Sequence, residues 1–191
     1  MDLPFEVVDL PPADHPEVGD RAPDFERPLV GPEYWEDTAL SDLTAEGPVA
    51  LFFHPMDGAF PATYIWNEVR DRGWIGEARS ASDESSGGRS EPRDGESDAC
   101  EPVGLSISTP YEHAELLEAR DVNARLFSDP GNGVAERYGI VNDLNGMAGV
   151  SEPRPAVFVV DEERVVRYAW VADEWPEFPD YDEVGAVLAD L

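Results

Sequence analysis

One cysteine, no lysine and no apolar run longer than a strand mark this chain by what it leaves out. A lone Cys100 excludes an internal disulfide framework of the kind that staples small exported domains. The apolar runs fall far short of the ~20 residues that a bilayer span requires. The opening MDLPFEVVDLPPADHPEVGD is acidic and proline-rich, where a signal peptide would be basic and then apolar. The expectation is a soluble cytoplasmic protein with no membrane partner. Positive charge is scarce as well: 13 basic residues, all arginine, stand against 42 acids, for a formal net charge of −29. Nucleic acid is thereby disfavoured as a partner, because phosphate contacts need clustered positive charge.

Such a surface strains a fold by self-repulsion at low ionic strength. In molar salt the screening length shrinks to about 3 Å and the penalty largely disappears. With 41% hydrophobic residues the chain has enough apolar material for a sizeable core, which argues against wholesale disorder. Adaptation to a salt-rich cytoplasm is the reading that joins these facts.

The most informative stretch is Val49 to Trp74. An apolar run, Val49 to Phe53, leads into the turn His54-Pro55-Met56-Asp57-Gly58. Pro61 then precedes a segment with Tyr64, Ile65, Trp66 and Val69 at helical spacing. Strand, proline loop and helix N-terminus together lower a thiol pKa through unpaired amides and the helix dipole. No cysteine occupies that position.

Several segments in order carry a family resemblance. Val18 to Phe25 reads G-x-x-A-P-x-F, and Phe53 to Asp57 reads F-x-P-x-D. Val103 to Tyr111 is a V-G-x-S strand running into a helix. Leu126 to Pro130, with Ala135 to Ile140, reads L-x-S-D-x…A-x-x-Y-G-I. Phe158 to Asp161, with Arg164 to Arg167, makes a penultimate hairpin. Together they resemble the peroxiredoxins of the alkyl hydroperoxide reductase/thiol-specific antioxidant type, within the thioredoxin-like superfamily. The resemblance implies an α/β fold of three layers, a central mixed sheet with helices on both faces. It also implies an antioxidant thiol peroxidase, an oxidoreductase that commonly dimerises.

The departures from that family bear on function. Its loop reads P-x-x-x-T-x-x-C. Counted from Pro55, the threonine position is Ala59 and the peroxide-attacking cysteine position is Ala62. The family's catalytic arginine position falls on Pro155, with Arg154 one residue earlier and able to face the pocket. Pro155 also resembles the cis-proline of thioredoxins. Peroxide reduction passes through a sulfenic acid, and alanine has no lone pair to offer. Thr63 next door is a very weak nucleophile without an adjacent base. Cys100 is the other thiol candidate, but Asp98 and Glu101 beside it work to raise its pKa, and no second cysteine is present to resolve a sulfenic acid.

Along the chain, residues 1–17 read as an extended arm packed by Phe5, Val7, Val8 and Leu10. Residues 18–191 read as the redoxin domain, with a flexible acidic Ser/Gly-rich insert at 79–99. Phe25 to Asp42 contains edge strands or a hairpin. Thr109 and Pro110 open a helix as N-cap and first helical residue, and Gly139 ends a short one. Asp180 to Leu191 is a terminal helix with Val184, Val187, Leu188 and Leu191 on one face. His54 reads as a hydrogen-bonded structural residue, with a ligand role as the alternative. His15 and His113 complete no metal-ligand spacing. Asp129, Asp143 and Asp161 read as turn and capping residues. No cofactor motif is found. Three functions follow: a thiol-less binding or regulatory protein, partnered as a homodimer or with a catalytic peroxiredoxin; an active enzyme using Cys100; or a small-anion binder using Pro55, Thr63 and Arg154.

Overall fold

The computed structural model describes residues 7–75, 100–142 and 149–191. The insert expected at 79–99, together with Phe5 and Asp143, lies outside those residues. Strand β1 (Val8–Asp9) is followed by the hairpin β2 (Glu26–Val30) and β3 (Trp35–Ala39), then helix α1 (Leu40–Thr44). Next come β4 (Val49–Phe53), α2 (Phe60–Asp71), β5 (Glu101–Ser106), α3 (Pro110–Arg120), β6 (Arg125–Ser128) and α4 (Gly133–Arg137). The small strands β7 (Val141–Asn142) and β8 (Glu152–Pro153) precede β9 (Ala156–Val160), β10 (Val166–Val171), β11 (Glu174–Trp175) and α5 (Tyr181–Ala189).

Seven strands form one mixed sheet in the order β10-β9-β4-β5-β6-β2-β3. β4, β5 and β6 run parallel, and antiparallel strands flank them. β4 is apolar at every position because both of its faces are covered. Val49, Leu51 and Phe53 join one core layer with Leu40 and Leu43 of α1 and Val134 and Ala135 of α4. Ala50 and Phe52 join the other, with Ile65, Trp66 and Val69 of α2, Leu116 and Leu117 of α3, and Val184 of α5. This is the expected α/β layering with helices on both faces.

Local rules set the helix ends. The Thr109 hydroxyl accepts from the Glu112 amide while the Glu112 carboxylate accepts from the Thr109 amide, a capping box with Pro110 behind it. Gly139 has φ +66°, and a Cβ there would lie 2.0 Å from the Asp14 carbonyl oxygen, so only glycine lets the N-terminal arm cross this turn. Within that arm Leu10 is buried, whereas Val7 and Val8 are exposed. β1 pairs with β11 in a ribbon separate from the main sheet. Leu191 corrects the expected apolar face of the last helix. α5 ends at Ala189, and Leu191 lies beyond the last helical turn, exposed to solvent.

Candidate functional site

The site is built where β4 ends. His54 donates its backbone N–H to the Leu105 carbonyl, and Ile107 donates to the Pro55 carbonyl, so the loop continues the β4–β5 ladder past the strand. The Asp57 amide donates to the Ser108 hydroxyl at 2.9 Å, and the Ser106 hydroxyl donates to Asp57 Oδ1 at 3.3 Å. Ala59 is the N-cap of α2 and has no side chain to accept from the first turn; Pro61 follows within that turn. The amides at the start of α2 therefore have no side-chain cap, the setting that would sharpen a thiol. Ala62, the residue the loop count marks, presents a fully buried methyl group in the first turn of α2.

Two histidines that stand 59 positions apart in the chain converge on Asp57. His113, fully buried on α3, places Nδ1 2.8 Å from Asp57 Oδ2 and Nε2 3.1 Å from the Phe127 carbonyl oxygen. Both partners offer acceptor oxygens, so the ring is held between two acceptors on either side of it. On the other side, Trp66 Nε1 donates to His54 Nε2 at 3.2 Å. That leaves the proton on His54 Nδ1, which lies 3.9 Å from Asp57 Oδ1 and has no hydrogen-bond partner among the described residues. Burial pushes the His54 pKa down to about 4. Burial alone would raise the Asp57 carboxyl, yet the His113 hydrogen bond, the neighbouring imidazoles and the Ser106 hydroxyl together hold it below its ordinary value. The network ties loop, β5, β6 and α3 together. Among the described residues no cluster of three or more His, Cys, Asp or Glu side chains is arranged to hold a metal ion.

The remaining predicted residues disperse. Thr63 accepts from Arg120 Nη2 at 2.7 Å, a partner nothing in the sequence spacing suggests. Arg154 is buried, with Nη1 donating to the Pro11 and Ala172 carbonyls at 2.9 and 3.3 Å and Nη2 to that of Val141 at 3.4 Å. Its guanidinium is thus engaged by three chain segments rather than directed, as expected, into the pocket; among the described residues Nε has no partner. The Arg154–Pro155 bond is trans, since the cis peptide among the described residues is Trp175–Pro176. Pro155 leads directly into β9, and its carbonyl accepts from Ala172 across to the end of β10.

Cys100 sits at the other end of the sheet. The neighbouring Glu101 pairs with Val49 at the start of β4, whereas Ala62 follows the end of that strand. A five-residue strand at ~3.3 Å per residue puts about 17 Å between those two ends. The thiol is buried, and desolvation, with the Glu101 charge second, pushes its pKa up to about 12.

Around the start of α2, Phe60 packs edge-on against Tyr64, Trp175 and Phe178 at 6.1 Å each. The aromatic tract after β10 thus covers the helix that bears Ala62.

This arrangement is similar to known proteins across most of its length. The AhpC/TSA family model matches residues 83–169. The chloroplastic 2-Cys peroxiredoxin BAS1 of Spinacia oleracea is 25% identical over 165 residues, which cover 83% of this chain and 53% of that protein. The chain therefore spans about half the length of the curated relatives it matches. Peroxidoxin BcpB of Mycobacterium tuberculosis aligns with a TM-score of 0.65 at 26% identity, covering 92% of this chain and 96% of that one. A reduced 2-Cys peroxiredoxin of Plasmodium vivax shares the fold, with a TM-score of 0.61 at 17% identity over 91% of this chain and 94% of its own. Sheet order, site loop and these relatives point the same way: the chain has the peroxiredoxin fold and is similar to the peroxiredoxin, or AhpC/TSA, family.

Proposed function

We propose that this chain is a peroxiredoxin-family protein whose own thiol cycle has been lost, and that it acts by binding, as a regulatory or partner protein. One observation carries the reading. The nucleophile position holds the buried methyl of Ala62, and the chain's single thiol lies at the opposite end of β4 and β5. Three further facts support it: the missing threonine at Ala59, the arginine engaged by backbone carbonyls, and a Cys100 held protonated by burial. The setting we infer is a salt-rich cytoplasm, supported by the lysine-free surface and its net charge of −29. A homodimer or a pairing with a catalytic peroxiredoxin is the form of binding this reading favours.

Hydrogen peroxide consumption by the pure protein in molar KCl, with dithiothreitol or thioredoxin supplied, tests the proposal. The expected rate is that of buffer and reductant alone. Turnover at an ordinary enzymatic rate, lost in Cys100→Ser, would establish the Cys100 alternative; turnover surviving that change would overturn thiol chemistry and this account of the pocket together. The anion-binding alternative draws on the uncapped start of α2 and on Arg120 at Thr63. It predicts that inorganic phosphate raises the thermal midpoint, and that Arg120→Ala removes this gain.

A further inference from the structure

Away from the site, β3 closes the sheet, and no strand among the described residues pairs with its outer edge. Gly31 donates to the Tyr34 carbonyl and Leu40 donates to that of Phe25, so residues 34, 36, 38 and 40 turn their backbone groups toward β2. By antiparallel alternation Trp35 and Asp37 turn N–H and C=O outward. The outward amide of Ala39 is already taken by the Asp42 carboxylate at 3.2 Å. Beside this edge a groove of about 1340 Å³ runs between the β2–β3 hairpin and the second half of α3, floored by Leu29, Leu43, Leu117 and Val122. Close by, Trp35 packs edge-on against Tyr111 of α3 at 5.2 Å, and both rings remain 42% and 71% exposed; Tyr34 is 65% exposed. Such side chains are rare on a solvated edge unless something covers them.

Charge selects the occupant. Glu33, Glu36, Asp37, Asp42, Glu118 and Asp121 line the groove, and its one arginine, Arg125, is held by both oxygens of Glu101 at 2.6 and 2.5 Å. A second copy would bring like charges directly opposite one another, which destabilises strand pairing. Acids on an edge strand guard it against self-association, and the same acids complement a cationic strand.

We propose that β3 and the adjoining groove form a docking edge for an extended basic segment of a partner protein. The segment adds to the sheet as an eighth strand. Its alternate apolar side chains meet Trp35 and Tyr111 on one face of the sheet, and the Lys and Arg side chains between them meet acidic residues of the wall on the other. Backbone pairing supplies affinity and the alternating pockets supply selection.

Fluorescence anisotropy with the labelled hexapeptide Arg-Val-Arg-Tyr-Lys-Val and the full-length protein tests this edge. Saturable one-to-one binding is expected at 0.1 M KCl, weaker but measurable at 1 M. Trp35→Ala should weaken it at least fivefold, with recovery in Trp35→Phe. The pair Glu36→Lys and Asp37→Lys should weaken it at least tenfold. Glu162→Lys with Glu163→Lys, an equal charge change at the β9–β10 turn, should change it less than twofold. Equal loss in both charge-reversed pairs would reduce the effect to net charge and overturn the proposal. So would salt-independent affinity, equal binding of Glu-Val-Glu-Tyr-Asp-Val, or a self-associated dimer dispersed by Trp35→Ala.

Discussion

The indole of Trp66 rests directly on the backbone of Gly104: a Cβ built on that glycine would stand 2.5 Å from the ring and 2.9 Å from Leu126. The V-G-x-S pattern of β5 therefore records a packing need, because the helix that carries Ala62 reaches the sheet only over a residue without a side chain. Gly104→Ala should destabilise the fold by about 1–3 kcal/mol, the usual cost of overpacking a closed core. Urea unfolding at fixed salt measures it. Because Trp66 also donates to His54, the near-ultraviolet signal of the tryptophans should change with it.

Two buried groups give stability opposite slopes with pH. His54 titrates near 4 when folded against a usual 6.5, so between those values the unfolded chain binds a proton that the folded one does not. Stability is then complete above 6.5 and falls as pH drops through the window, by about 3 kcal/mol at ~1.36 kcal/mol per pH unit. Glu152 is buried on β8 with no hydrogen-bond partner among the described residues, and desolvation raises its pKa from 4.5 to about 7. Its folded form holds the proton longer, so stability is complete below 4.5 and falls as pH rises to 7. Glu152→Gln should expose the rising slope of His54, and His54→Gln the falling slope of Glu152. Urea midpoints between pH 4.5 and 7 distinguish these; identical profiles in both variants would contradict the assignment.

Thiol reactivity separates the two ends of the sheet. Cys100 should resist a disulfide reagent in the native protein and react only on unfolding, since burial keeps it protonated. Ala62→Cys should add one thiol at the start of α2, and whatever access the site keeps will be read in its labelling rate. Peroxide turnover in that variant should stay near background, because neither a threonine at Ala59 nor a free arginine accompanies the new sulfur.

The charge of the chain sets a salt dependence. Raising KCl from 0.1 to 2 M should increase the thermal midpoint, since screening relieves repulsion among 42 acids opposed by 13 arginines. A midpoint that falls or stays level would remove the argument for a salt-rich setting.

Features fixed by local chemistry were legible before any coordinates. The uninterrupted apolar run of β4 announced a strand covered on both faces, and Thr109-Pro110 announced the start of α3. The count from Pro55 placed Ala62 near the start of a helix, and the structure has it in the first turn of α2 because loop and helix are contiguous. What escaped were contacts closed by the fold. His113 and Asp57 stand 56 residues apart and Arg120 and Thr63 stand 57 apart, so no spacing rule joins them. The direction of Arg154 escaped for the same reason: its acceptors at Pro11, Val141 and Ala172 are set by how the arm and the β7–β8 ribbon close over it.

That arginine has a consequence for ancestry and redesign. A cation that laces the arm, the ribbon and the end of β10 is not released by a change at α2. On the proposed reading, one codon would supply a sulfur at Ala62 but no clamp for peroxide, and freeing Arg154 for that task would loosen the closure it now secures. If the proposed loss of chemistry holds, regaining it would have to traverse a less stable intermediate, and the loss would act as a ratchet.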